Sequence, residues 1–189
     1  MTSPQQPPPG YAPGPYGYQA YDGPPGRIRG SGVSVLLFVV TFGIYGLVYN
    51  YQVHDEMKRH SGRGIGGGIA LLLSFLANIA MPFLTPHEVG NLYERKGQRP
   101  PVKAIVGLWT LIPMGAVYVA MIIGFTATFG NLETDPATGE LSDPSTSGLV
   151  TFFIAIAVGY AVFAVGAIIG FVKTNNALNQ YWRAIGVPG

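Results

Sequence analysis

Cysteine is absent from the 189 residues. That excludes disulfides, thiolate metal sites, palmitoylation and lipoprotein acylation. Charge is scarce as well: Asp, Glu, Lys and Arg make up 11% of the chain, against about a quarter in soluble domains. A formal net charge of +2 is too small to argue for nucleic-acid binding. The start lacks a basic region followed by an apolar core, so no cleavable signal peptide is expected. The first hydrophobic segment would then serve as an uncleaved targeting signal.

The few charges leave four gaps. Gly30–Val53, Gly64–His87, Ala104–Leu132 and Pro144–Val172 contain no Asp, Glu, Lys or Arg. A spanning helix needs roughly 20 apolar residues, because about 1.5 Å of rise per residue must cover about 30 Å of hydrocarbon. The expectation is an all-α integral membrane protein with one helical domain over 27–189. Its four hydrophobic segments fall near 33–53, 65–84, 104–129 and 149–172.

Residues 1–26 precede that domain with eight prolines and four tyrosines, Asp22 being their only charge. Such a segment cannot bury enough apolar surface to offset the entropy of ordering. It is expected to be a disordered cytoplasmic tail of polyproline II character. Two uses are open: a plain leader, or a docking tail for cytoplasmic proteins, since proline and tyrosine offer stiff, low-entropy contacts.

Gly43 and Gly46 are expected to loosen the first segment. Beyond them Tyr45, Tyr49, Val53 and Met57 recur every four residues as an apolar ridge. Asp55/Arg59 and Glu56/His60 are i,i+4 pairs on the other side, which predicts a solvated amphipathic helix leaving the bilayer. Segment two ends in Thr85-Pro86-His87-Glu88, which reads as a capping box opening an interfacial helix at 86–96. In that reading Thr85 is the N-cap, Pro86 the first helical residue and Glu88 the side chain reaching back. Val89, Leu92 and Tyr93 form its apolar stripe and Gly97 its stop. Pro113 predicts a kink in segment three. After Lys173, one helix face carries Leu178, Tyr181, Trp182 and Ile185. Arg95, Lys96, Tyr181 and Trp182 are the expected membrane-interface residues, set against the lipid bilayer.

Basic residues mark the cytoplasmic side. Arg95, Lys96, Arg99 and Lys103 precede segment three, and Lys173 and Arg183 follow segment four. The loop 131–148 between them carries Glu133, Asp135, Glu140 and Asp143 and no basic residue. This predicts a multi-pass protein of the cytoplasmic (cell) membrane, with both termini cytoplasmic and the acidic loop external. Four plain crossings, however, would put Lys58, Arg59 and Arg63 outside. A comparison offset by 37 residues gives a second arrangement. The run from Leu36 lies over the run from Leu73, each apolar at first, interrupted near Gly43 or Pro82, and basic at its end. If each unit dips into the membrane and returns, every basic loop is cytoplasmic, but the irregular backbone then needs shelter from segments three and four. Both arrangements stay open at this point.

The run Thr41-Phe42-Gly43-Ile44-Tyr45-Gly46, with Tyr49, Tyr51 and His54-Asp55-Glu56 after it, resembles the bacterial family catalogued as domain of unknown function 4234. That family shows a similar T-L-G-I-Y-G-x-Y-W-Y motif before a polar, Glu-containing helix. Leu178-Asn179 ahead of Tyr181-Trp182 is similar to its ending. The resemblance covers roughly 27–183 and departs near Asn50, where the family often has Trp. It implies an integral membrane protein and brings no catalytic residue; its motif residues here are Thr41, Gly43, Ile44, Tyr45, Gly46 and Glu56.

His54, Asp55, Glu56 and His60 are candidate metal ligands, joined by His87 and Glu88 if the two units pack together. Neighbours at i,i+1 and i,i+2 do not share a helix face and H-E-x-x-H is absent, so no metal or other cofactor is expected. Gly62, Gly64 and Gly67 satisfy G-x-G-x-x-G without the βαβ unit that nucleotide binding needs, and read as a flexible turn. The acidic loop lacks EF-hand spacing. Asn78 is expected to hydrogen-bond a neighbouring helix, and Gly159, Gly166 and Gly170 form a small-xxx-small ridge for packing within the chain or in a homo-oligomer. No catalytic pair or triad emerges. The sequence points to a non-enzymatic membrane scaffold whose tail recruits partners, with a small channel or transporter as the alternative.

Overall fold

A computed structural model describes residues 23–130 and 146–189. Most of the tail and of the acidic loop lie outside the described residues. Within them the chain forms α1 (Ser31–Val40), α2 (Ile44–Ser61), α3 (Gly66–Leu76), α4 (Met81–Arg95), α5 (Leu108–Phe129) and α6 (Thr146–Ala184), with 3-10 turns at Asn78–Ala80 and Ala104–Gly107. No strand occurs among the described residues. Two stretches, Ala104–Phe129 and Thr146–Ala184, are long and apolar enough to cross a membrane. A third candidate is counted if α3 and the segment Asn78–Arg95 are taken together, although these are bent by 116°.

Segments one and two are therefore each broken rather than continuous. The first break is written in its residues. The Thr41 hydroxyl donates to the Leu37 carbonyl at 2.7 Å and accepts the Tyr45 N–H at 2.9 Å. Phe42 and Gly43 take positive φ of 50° and 86°, a left-handed conformation costing a non-glycine residue about 1–2 kcal/mol. Every N–H from Thr41 to Gly46 nonetheless finds an acceptor. Gly46 is needed for a different reason: a Cβ there would sit 2.6 Å from the Phe38 ring. The 37-residue offset reappears in the fold, since α2 begins at Ile44 and α4 at Met81.

α4 starts five residues before the expected helix, so Thr85 is not its N-cap. The Thr85 hydroxyl is engaged by His54, and the Glu88 carboxylate is held by His54 and the Ile65 N–H. Neither is left to cap, and Pro86 sits inside the helix. The stop is as expected: Gln98 N–H bonds the Tyr93 carbonyl and Gly97 N–H that of Glu94, with Gly97 at φ +69°, a Schellman motif.

α5 runs unbroken through Pro113. The proline lies in its second turn and removes only one donor, the one that would face the Trp109 carbonyl. α6 packs along α5, and the glycine ridge falls on that contact. A Cβ at Gly166 would meet the Trp109 oxygen at 2.1 Å, one at Gly159 the Val117 Cα at 3.4 Å, and one at Gly170 the Trp109 Cβ at 3.5 Å. At 39 residues α6 is about 58 Å long, nearly twice the hydrocarbon thickness. Its far end leaves the apolar hairpin and joins α2 and α4 in a compact collar.

The collar has a core of its own. Tyr49, Val53 and Met57 from α2 meet Val89 and Leu92 from α4, Val102, and Ala177, Leu178, Tyr181 and Trp182 from α6. By contrast Leu36, Phe75, Ile112, Ile122, Phe153 and Val158 on the apolar helices point outward.

Candidate buried polar network and adjoining cavity

Residues 23–31 cross the collar as an extended strap, and polar side chains fix it. The Arg29 guanidinium grips Glu56 with both ends, Nη2 to Oε1 at 2.6 Å and Nη1 to Oε2 at 2.8 Å. The Arg27 N–H also donates to Glu56, at 3.2 Å. From α6, Asn175 and Asn179 donate to the Arg29 carbonyl at 2.8 and 2.6 Å, and Asn179 accepts the Arg29 N–H at 3.0 Å. Tyr49 donates to Asn175 at 3.0 Å, and Ser31 to Asn176 at 2.7 Å. Burial would lower the Arg29 pKa, but the hydrogen bond and charge of Glu56 outweigh it, so the value is raised above that of a free guanidinium.

Farther along α2 stands a second buried group. His54 is fully buried, its Nδ1 2.6 Å from Glu88 Oε2 and its Nε2 3.1 Å from Thr85 Oγ1. The other Glu88 oxygen accepts the Ile65 N–H at 2.8 Å. His60 bonds the Gly23 carbonyl at 2.9 Å and the Tyr181 hydroxyl at 3.1 Å. A hydroxyl, an imidazole and a carboxylate thus stand in a row, a pattern the sequence did not reveal. Acyl transfer would also need donors for an oxyanion. The N–H groups beside Thr85 belong to the ladder of α4, and Pro86 has none. The row can orient and polarise the hydroxyl.

Thr85 also lines a cavity of about 460 Å³. Its walls come from both breaks (Gly43, Gly46, Asn78, Met81) and from α5 and α6 (Leu111, Met114, Phe163, Phe171).

The residues singled out earlier fall into distinct places. Thr41, Gly43, Ile44, Tyr45 and Gly46 build the first break, and Glu56 anchors the strap. Arg95 donates to the Ser61 carbonyl, tying α4 to the end of α2, and Lys96 sits 5.2 Å over the Tyr181 ring. Tyr181 and Trp182 lie inside the collar core, 3% and 0% exposed, rather than facing outward. The solvated face expected on α2 is also overturned: His54, Glu56 and His60 are all buried because α2 has neighbours on more than one side. Asp55 and Arg59 do pair, at 2.9 Å, whereas Glu56 pairs with Arg29 instead of His60. His54 and Glu88 come together, but no group of three potential metal ligands occurs among the described residues. Asn78 is exposed and borders the cavity. Sequence reasoning gave Arg29, Asn175 and Asn179 no binding partners; the Asn175-Asn176 pair just past the apolar run that ends at Val172 was the available signal.

Among the described residues, fold and site define an all-helical arrangement with two apolar helices long enough to span a membrane, or three with the bent pair, joined to a packed collar. The chain belongs to the family described as Domain of unknown function (DUF4234), which it matches over residues 29–180. No curated protein and no solved structure matches it.

Proposed function

We propose that this chain is a non-enzymatic membrane scaffold of the bacterial cytoplasmic membrane. In this reading α5 and α6 cross the bilayer, α1–α2 and α3–α4 dip into it and return, and the collar presents the N-terminal tail to cytoplasmic proteins. The carrying observation is that both ends of each dipping unit are tied at the collar. Ser31 at the start of α1 bonds Asn176, while Glu56 near the end of α2 bonds Arg29. Ile65, just before α3, bonds Glu88 of α4, and Arg95 bonds Ser61. With ten residues α1 reaches about 15 Å, half the hydrocarbon depth. Unpaired backbone would be costly in lipid, and the satisfied N–H groups of the first break remove that objection. All eleven Lys and Arg then share the side of the termini, and the acidic loop faces out.

Orientation is testable with one cysteine at Gly62, since the native chain has none. An impermeant maleimide is expected to leave it unlabelled in intact cells and to label it after permeabilisation. Labelling from outside would mean that α1–α2 crosses.

Recruitment is tested by deleting residues 2–22, which keeps Gly23 and its bonds to His60. The truncated chain is expected to stay folded but to lose its co-purifying proteins. An unchanged partner set would move the function into the helices. A channel or transporter is the second reading, favoured by the cavity at the breaks, and solute flux in reconstituted vesicles distinguishes the two.

A further inference from the structure

The cavity between the breaks opens beside an apolar surface. Gly43, Asn78 and Ile79 on its wall are exposed, and around them Phe42, Ile44, Leu76 and Ile112 are 97%, 66%, 76% and 65% exposed. Side chains of that kind face lipid in the scaffold reading, so an occupant enters from the bilayer. At about 460 Å³ the space lies within the roughly 300–1,000 Å³ typical of small-molecule sites. Its lining contains no Lys, Arg, His, Asp or Glu. A charged head group would be buried without compensation there, at a cost of several kcal/mol in general. The occupant is therefore neutral.

The polar wall narrows the choice further. The Glu88 carboxylate accepts from His54 Nδ1 at 2.6 Å, and this holds the buried ring in one orientation. His54 Nε2 in turn lies 3.1 Å from the Thr85 hydroxyl, which is thereby held at the cavity wall. Thr110 and Asn78 line the same space and make no side-chain hydrogen bond among the described residues. A hydroxyl head group both donates and accepts, so it can pair with Thr85 and with such a neighbour.

We infer that the cavity is a binding site for a neutral, single-chain amphiphile with a hydroxyl head group, a long-chain monoacylglycerol or alcohol taken from the surrounding lipid. His54 and Glu88 are positioning residues that hold the Thr85 hydroxyl at the cavity wall.

The test uses the full purified chain and a monoacylglycerol carrying a mid-chain diazirine, with adducts mapped by mass spectrometry after photolysis. Adducts are expected on cavity residues such as Met81, Met114 and Phe163, and unlabelled monoacylglycerol should compete at least tenfold better than the matching fatty acid or a lysophospholipid. Thr85→Val should weaken competition by about tenfold, the effect of one well-placed hydrogen bond, and Thr85→Ser should restore it. Leu111→Trp should fill the space and abolish the cavity adducts while the protein stays monodisperse. Adducts spread over Ile154 and Val158, indifferent to Thr85→Val and Leu111→Trp, would mean unspecific lipid contact and overturn the site. Stronger competition by the charged lipids would overturn the neutral head group.

Discussion

Replacing Arg29 with Ala is expected to lower the stability of the collar by about 3–5 kcal/mol, because Glu56 would be left buried and unpaired. Glu56 is 8% exposed, and nothing else in the strap supplies a positive side chain to it at the 2.6 Å of Arg29. The main-chain contacts from Asn175 and Asn179 would survive, so the loss is electrostatic before it is geometric. For a chain of this length the apparent midpoint should fall by about 6–20 °C. Trp182 is buried in the same core and reports the transition by fluorescence. Arg29→Ala with Glu56→Leu should recover part of the loss, since removing both charges removes the uncompensated one. An Arg29→Ala protein that melts like the parent would show that water reaches Glu56 and that the pair is not holding the strap. Alkali should not mimic the substitution. The folded Arg29 pKa is raised above its ordinary value, so its contribution is fully present below the unfolded pKa and is lost only as pH rises through the higher folded one.

The second large effect is expected at Gly166. A Cβ there would lie 2.1 Å from the Trp109 oxygen and 2.7 Å from the Pro113 ring, so α5 and α6 must separate to accept even alanine. Overpacking of this kind costs about 1–3 kcal/mol for small additions, and Gly166→Leu should prevent the hairpin from forming. Gly115 provides the control. It is a glycine of α5 with nothing within 4 Å, so Gly115→Ala should be neutral or stabilising through helix propensity. Gly159→Ala and Gly170→Ala should fall between, at 3.4 and 3.5 Å from their nearest neighbours. Thermal melting and size-exclusion profiles of the four alanine variants provide the comparison. Gly166→Ala behaving like Gly115→Ala would mean that the two helices are not packed on this ridge. A change of oligomer size without loss of stability would point to a contact between copies instead.

Where one face of one helix carried the information, the sequence was readable. Tyr49, Val53 and Met57, and separately Leu178, Tyr181 and Trp182, are spaced for a buried stripe, and both stripes are in the collar core. The second side of α2 was not readable. Periodicity can mark His54, Glu56 and His60 as polar, but polar residues spaced along a helix look the same facing water or facing partners. Their partners lie 34, 27 and 121 residues away at Glu88, Arg29 and Tyr181. Thr85-Pro86-His87-Glu88 misled for a related reason. The local pattern satisfies a helix start, but His54 and the Ile65 N–H compete for the same oxygen atoms and win. The Thr41–Gly46 motif was recognisable from its residues, whereas its role in closing a break without an unpaired N–H required the hydrogen bonds.

The strap also imposes an order in time. Glu56 emerges from the ribosome 27 residues after Arg29, but Asn179 emerges 150 residues after it. At about 5–20 residues per second that second interval is roughly 8–30 s. Within it α1, α2, α3 and α4 are all synthesised before the side chains that lock the first of them. The beginning of the chain is thus finished by its end, and a ribosome that stalls inside α6 would release a protein with its helices formed and its N-terminal root untied.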